Sequence, residues 1–150
     1  MTDDDDIGGM SAALARAEAA VAALARDYLT WARADVELCH QHLSAARAAT
    51  TMRAQHITDL FGVAHNIKGQ GSSFGYPLMT RLGHTLCQVT RLQHSFTDAD
   101  LDLVAAHLQV MADILQQEAR GDGTPALQAE VRKLETDVEA FIVAAGQTGD

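Results

Sequence analysis

His65, Lys68 and Gly69 stand in the segment HNIKGQGSSFG, residues 65–75, where Leu60, Val63, Ala64 and Ile67 mark an apolar helical face. Positions three and four apart on a helix are neighbours, so His65 shares its face with Thr58, Phe61, Gly62, Lys68, Gly69 and Ser72. That face is turned away from Leu60, Val63, Ala64, Ile67 and Phe74, so the imidazole points outward. An outward imidazole is a competent nucleophile near neutral pH because much of it is uncharged there. A phosphoryl group added to its ring nitrogen would carry negative charge, which the Lys68 ammonium at i+3 is placed to stabilise. Gly69 at i+4 has no side chain, which lets a phosphate-bearing pocket of another protein come within bonding distance for in-line transfer. Glycine inside a helix costs about 1 kcal/mol relative to alanine. Gly69, Gly71, Ser72 and Ser73 together therefore need a local reason, which is room for a partner or a neighbouring helix. No carboxylate cluster accompanies His65 nearby in the sequence, so any catalytic metal has to come from the partner.

The elements that position this segment read as helices throughout. Residues 1–9 combine Asp3–Asp6 with Gly8 and Gly9 and read as a disordered acidic tail; residues 10–146 form a single helical domain. From Ser11 to about Ala49, Leu14, Ala17, Val21, Leu24, Tyr28 and Trp31 keep a helical stripe whose phase slips at Asp35. This is one long helix or two stacked ones meeting near residues 26–34, and the Leu14–Trp31 stripe is expected to pack over the rest of the chain. Thr50 and Thr51 are expected to cap a second helix that Gly75 ends. Pro77 opens a third, with Leu78, Leu82, Leu86, Val89 and Leu92 buried one per turn. Thr97 and Asp100 have capping-box spacing before Leu101, Val104, Leu108, Met111 and Leu115. Gly121-Asp122-Gly123 breaks the chain, and Thr124-Pro125 opens a last helix buried through Leu127, Val131, Leu134, Val138 and Phe141. The fold class is all-α: an antiparallel four-helix bundle with additional N- and C-terminal helical segments.

Composition agrees and narrows the function. Of 150 residues 47% are hydrophobic but only 5% aromatic, with two prolines, a balance that suits closely packed helices. The net charge of -9 and a pI near 5.0, without a basic stripe, exclude nucleic-acid binding by phosphate neutralisation and disfavour an anionic membrane surface. No apolar run has the length of a membrane span and no secretory signal opens the chain, so a cytoplasmic location is expected. Cys39 and Cys87 lack metal or disulfide spacing and read as buried small hydrophobes.

The segment His65-Asn66-Ile67-Lys68-Gly69, with Phe74-Gly75 beyond it, closely resembles the HxxKG…G signature of histidine-containing phosphotransfer (HPt) domains. These are helical bundles that pass phosphoryl groups between receiver-domain aspartates of two-component phosphorelays. The resemblance implies that His65 is the phosphoacceptor, Lys68 the phosphate-side cation, and Gly69 and Gly75 the clearance and helix-end positions. It implies a carrier with no cofactor or metal of its own, partnered by receiver domains of response regulators or of a hybrid histidine kinase, the receiver supplying magnesium. A monomer is expected rather than a dimer seam along Leu14–Trp31, because the phase slip at Asp35 breaks any sustained heptad. GQGSSFGY is also similar to the phosphoacceptor domains of chemotaxis-type histidine kinases, and His84 falls where those often carry a second histidine. Cys87 stands where they usually place a glutamate thought to activate the ring, a departure that leans toward a free-standing shuttle.

Alternatives stand beside this reading. The chain could be a helical adaptor in which the segment goes unused, or a substrate of a separate chemotaxis-like kinase. Gly69-Gln70-Gly71 is no dinucleotide loop, because Phe74 occupies the third glycine's place and no strand precedes it. Glu37 and His40 form a lone ExxH, short of a di-iron set, and His40 and His42 read as boundary residues. His56, His94 and His107 lack the lysine and glycine context. His84 and Cys87 are possible tuning residues, and Phe61, Gly62 and Ser72 are candidate docking positions around the imidazole.

Overall fold

Proline at the start, a capping box or a glycine at the boundaries, and one apolar stripe per segment cut the chain into five α-helices. In the computed structural model, which describes residues 2–148, these are α1 (Thr2–Ala48), α2 (Arg53–Gly71), α3 (Pro77–Thr90), α4 (Asp98–Gln116) and α5 (Pro125–Thr148). No strand occurs among the described residues. α2 lies between α1 and α3; α4 packs on α1, α3 and α5, and α5 returns to α3. Their buried stripes meet in one core that includes Leu60, Ala64, Leu82, Leu86, Leu101, Leu108, Met111, Ile114 and Val131.

The capping box is formed in full. The Asp100 amide donates to Thr97 Oγ1 at 3.1 Å and the Thr97 amide to Asp100 Oδ2 at 2.9 Å. Thr50 and Thr51 behave differently from the caps their types predict. They wind with Met52 into a 3-10 turn, and no side chain caps α2. Arg53 closes this corner instead: its Nε donates to the Ala46 carbonyl at 2.8 Å, one terminal nitrogen to the Phe96 carbonyl at 2.9 Å, and the other pairs with Asp98 at 2.8 Å. One guanidinium thereby satisfies carbonyls at the end of α1 and ahead of α4 that no threonine hydroxyl could reach.

α1 is a single helix, resolving the choice between one long and two stacked helices. It begins at Thr2 and takes in Asp3–Asp6 and Gly8–Gly9, which their composition assigns to a tail; acidic residues are favoured at a helix N-terminus. Its two halves differ sharply. From Tyr28 onward Tyr28, Leu29, Ala32, Val36, Cys39, Leu43 and Ala46 are buried, whereas before it Leu14 is 61%, Val21 61% and Leu24 49% exposed. The expected cover of Leu14 to Trp31 over the bundle is therefore corrected: only Tyr28 of that stripe reaches the core. The reason is length, not register: Leu14, Val21 and Leu24 lie on the same side of α1 as Tyr28, Ala32 and Cys39, but nearly every residue from 8 to 27 is exposed on every face, so this part of α1 runs past the end of the bundle.

Aromatic packing fastens α1 to the end of α2. The Tyr28 ring stacks on Phe74 with centroids 5.0 Å apart and on Tyr76 at 5.1 Å, and Trp31 meets Phe74 edge-on at 6.2 Å. Burial, with Tyr76 and Asp35 nearby, pushes the Tyr28 phenol up to about 12.

Candidate functional site

α2 buries Ile57, Leu60, Val63, Ala64, Ile67 and Gly71, and this stripe leaves His65 exposed on the opposite side. The imidazole stacks on Phe61, one turn earlier, with ring centroids 6.2 Å apart and planes inclined by 29°. The imidazole is thus exposed with an aromatic ring beside it. Lys68, one turn later, is half-buried and has no ion pair among the described residues, so its charge is uncommitted. Gly62 and Gly69 flank the histidine at i-3 and i+4; both are exposed, and a Cβ added to either would meet nothing within 4 Å.

The opposite wall of the site is set by α3. A Cβ on Gly83 would fall 2.7 Å from the Lys68 amide nitrogen and 2.8 Å from its Cα, so α3 lies against the Lys68 backbone with only a glycine between. A Cβ on Gly71 would fall 2.6 Å from Thr80 Oγ1 and 2.8 Å from the Tyr76 carbonyl oxygen. Gly71 meeting Thr80 and Lys68 meeting Gly83 means that α2 and α3 run in opposite directions, which puts His65 level with Leu86 and Cys87. Cys87 is buried and His84 exposed. Burial raises the Cys87 thiol, against the lowering pull of Lys68 and Arg91, so it is a neutral thiol at physiological pH. It cannot supply the negative charge of the carboxylate that the chemotaxis-type pattern has there. Cys39 is pushed up to about 12 by burial, with Asp35 and Cys87 adding to the shift, and both cysteines are free.

The end of α2 is held by Thr80. Its Oγ1 donates to the Lys68 carbonyl at 3.1 Å and accepts from the Ser72 amide at 2.8 Å, with the Ser72 hydroxyl 3.1 Å away. This removes an unsatisfied carbonyl and an unsatisfied amide where α2 tightens into the 3-10 turn Ser72–Phe74. Ser72 is thus exposed but already engaged. Gly75 follows at φ 87, a left-handed conformation that favours glycine, and its carbonyl accepts from the Gly121 amide at 2.9 Å. The Arg120 guanidinium lies over it, 2.9 Å from where a Cβ would be, so Gly75 sits at the helix end and its outer side is filled.

The structure therefore brings Phe61, Gly62, His65, Lys68 and Gly69 onto one surface, with Ser72 at its edge, Cys87 beneath it and Gly75 set back under Arg120. Phe61 also lines a surface groove of about 630 Å³ with Ile57, Thr58, Arg91, His94 and Phe96. Thr80 and Gly83, which set the position of Lys68, escape a reading of the motif alone. Their signal is the small-residue spacing Thr80, Gly83, Cys87 along one face of α3. His107 is buried in the core, not near the site: its Nδ1 lies 2.8 Å from the Leu103 carbonyl and its Nε2 2.9 Å from Thr85 Oγ1. The carbonyl needs a donor, so Nδ1 carries the proton and Nε2 accepts from the threonine hydroxyl.

No helix among the described residues is long and apolar enough to cross a membrane. Comparison with known proteins gives one family: the Hpt domain family matches residues 23–141. No curated protein and no solved structure matches the chain.

Proposed function

The chain belongs to the Hpt domain family, helical-bundle phosphocarriers that work through a histidine in phosphorelays and are not themselves catalysts, and on that premise we propose that its phosphoacceptor is His65. The phosphoryl group arrives from a receiver-domain aspartyl phosphate and leaves to the aspartate of another receiver. A neutral imidazole attacks with its ring-nitrogen lone pair; the P–N bond forms as the P–O bond to the donor breaks, and the aspartate departs as a carboxylate. The reverse displacement by the second aspartate restores the imidazole. Lys68 stabilises the phosphoryl charge, and the receiver, of a response regulator or a hybrid kinase, brings magnesium and the acidic pocket.

The observation that carries this reading is the opening around His65: an exposed imidazole with Phe61 behind it and two glycines beside it whose Cβ positions are empty. In-line displacement needs donor oxygen, phosphorus and nitrogen aligned, which any larger residue at position 62 or 69 would obstruct. Phe61 and the groove it lines suit receiver docking, and Ser72 borders the contact. His84, exposed on α3, is available to tune the site, whereas Cys87 acts by packing. The architecture that accompanies the reading is an antiparallel four-helix bundle with additional N- and C-terminal helical segments; the opposed α2 and α3 support it. Residues 10–146 form the domain, and residues 1–9 are an acidic appendage to it.

Incubation with phosphorylated receiver and magnesium tests the assignment. Wild type should acquire an acid-labile, base-stable label and His65→Gln none; equal labelling of the two would sink it. Lys68→Ala should transfer about ten-fold more slowly with an unchanged melting temperature, as expected for loss of one transition-state contact. Labelling only by ATP with a chemotaxis-type kinase would make the chain a kinase substrate, and no label from any donor would leave an adaptor.

A further inference from the structure

On the side of α2 that faces α1, His42 of α1 meets His56 and Asp59 of α2, with one ligand atom from each lying within 4.8 Å of the others. His56 and Asp59 are at i and i+3, on one face of α2, while His65 is nine residues beyond His56, about two and a half turns, and so points the opposite way. Both imidazoles are half-buried, and neither has a hydrogen bond or ion pair among the described residues. His94 by contrast pairs with Asp100 at 3.0 Å, and His107 has both ring nitrogens engaged. Half-buried His40 is also without a hydrogen bond or ion pair among the described residues, but it has no second histidine and carboxylate gathered around it. The Asp59 carboxylate is held by the Gln55 side-chain amide, which donates to Oδ1 at 3.0 Å.

We propose that His42, His56 and Asp59 form a site for a borderline divalent metal ion of the zinc class. Two imidazoles and one carboxylate are the donor set such ions take, and the imidazoles disfavour magnesium and calcium, which prefer oxygen alone. Bond lengths of about 2.0–2.1 Å place tetrahedral ligand atoms roughly 3.4 Å apart, so modest side-chain rotation closes the triad. Gln55 supplies the outer contact that orients the carboxylate. The fourth position remains for water or an external ligand. The two histidines come from helices joined only by the short connection at residues 49–52, so the ion clamps α1 to α2 at that corner. The site is independent of the phosphoryl reading, because it shares no residue with His65 and its neighbours.

Titration of the metal-free chain with Co²⁺, followed by the visible absorption of the bound ion, and with Zn²⁺, followed by the thermal midpoint, tests the proposal. One ion should bind per chain, equally in wild type and His65→Gln, and Zn²⁺ should raise the midpoint. His42→Ala and His56→Ala should each weaken binding at least about ten-fold and abolish the Zn²⁺-dependent rise, and Asp59→Asn should weaken it less. Each variant is compared with itself in chelator, which separates lost binding from lost stability. Wild-type binding by both histidine variants, or binding lost in His65→Gln instead, would overturn the site.

Discussion

Gly69 and Gly71 lie two residues apart in α2, yet they face different surroundings. The space beside Gly69, like that beside Gly62, is open solvent, whereas Gly71 and its counterpart Gly83 on α3 are pressed against backbone or a hydrogen-bonded threonine. The inner pair has a sufficient reason within the chain. A glycine at 83 lets α3 touch the Lys68 backbone, and a glycine at 71 lets Thr80 reach the end of α2. The outer pair has none, since a side chain at 62 or 69 would meet nothing and would favour the helix. One residue type thus has two settings within one segment: close packing on one side of α2, and on the other open space, which is where we propose that a partner approaches.

Substitutions test that division, beginning with the most damaging. Gly83→Ala and Gly71→Ala should each cost about 3 kcal/mol, because backbone atoms have to move to admit a methyl group. In a chain of this size that is roughly 6–12 °C in thermal midpoint, readable by circular dichroism. Thr80→Val should cost about 1–2 kcal/mol by orphaning the Lys68 carbonyl and the Ser72 amide. It should also slow phosphotransfer by loosening the helix end next to Lys68.

A pH series separates interior from surface in another way. Burial lowers the His107 pKa below its ordinary 6.5, against the opposing influences of the Leu103 carbonyl and Asp137. The unfolded chain therefore takes up this proton before the folded one, and the stabilisation present above about pH 6.5 is lost as pH falls below it. The melting temperature of His107→Gln should depend less steeply on pH than that of wild type between about pH 7 and 5; identical slopes would remove His107 from the acid response. The smallest effect on stability belongs to Gly69→Ala, which should leave the fold unchanged or raise its stability by up to about 1 kcal/mol while slowing phosphotransfer. Destabilisation like that of Gly71→Ala would erase the distinction between the two glycines.

The same division explains what the amino-acid sequence discloses. The outward placement of His65, Lys68 and Gly69 follows from the period of one helix, so it is readable from a dozen residues. The same holds for the Thr97–Asp100 cap, a local exchange of hydrogen bonds three residues apart. Thr80 and Gly83 are different, because their roles depend on where α3 meets α2, a register that no single helix encodes. Arg53 displaced Thr50 and Thr51 for a like reason: it reaches carbonyls on two other segments. Leu14, Val21 and Leu24 belong to the same helical stripe as Tyr28, and only the tertiary packing shows that the stripe outruns the core. The His42–His56–Asp59 triad is also assembled across helices, while the lone ExxH that invites a metal reading in the sequence is not part of it.

The unequal halves of α1 have a hydrodynamic consequence. A helix of 47 residues is about 70 Å long, whereas a folded chain of 150 residues has a radius of gyration near 15 Å when compact. A rod anchored by Tyr28 and the residues after it, and standing free before it, makes rotational diffusion anisotropic. Amide relaxation in α1, whose N–H bonds lie near the long axis, should therefore report slower reorientation than a compact chain of this size would show, and small-angle scattering should give a longest dimension set by that one helix.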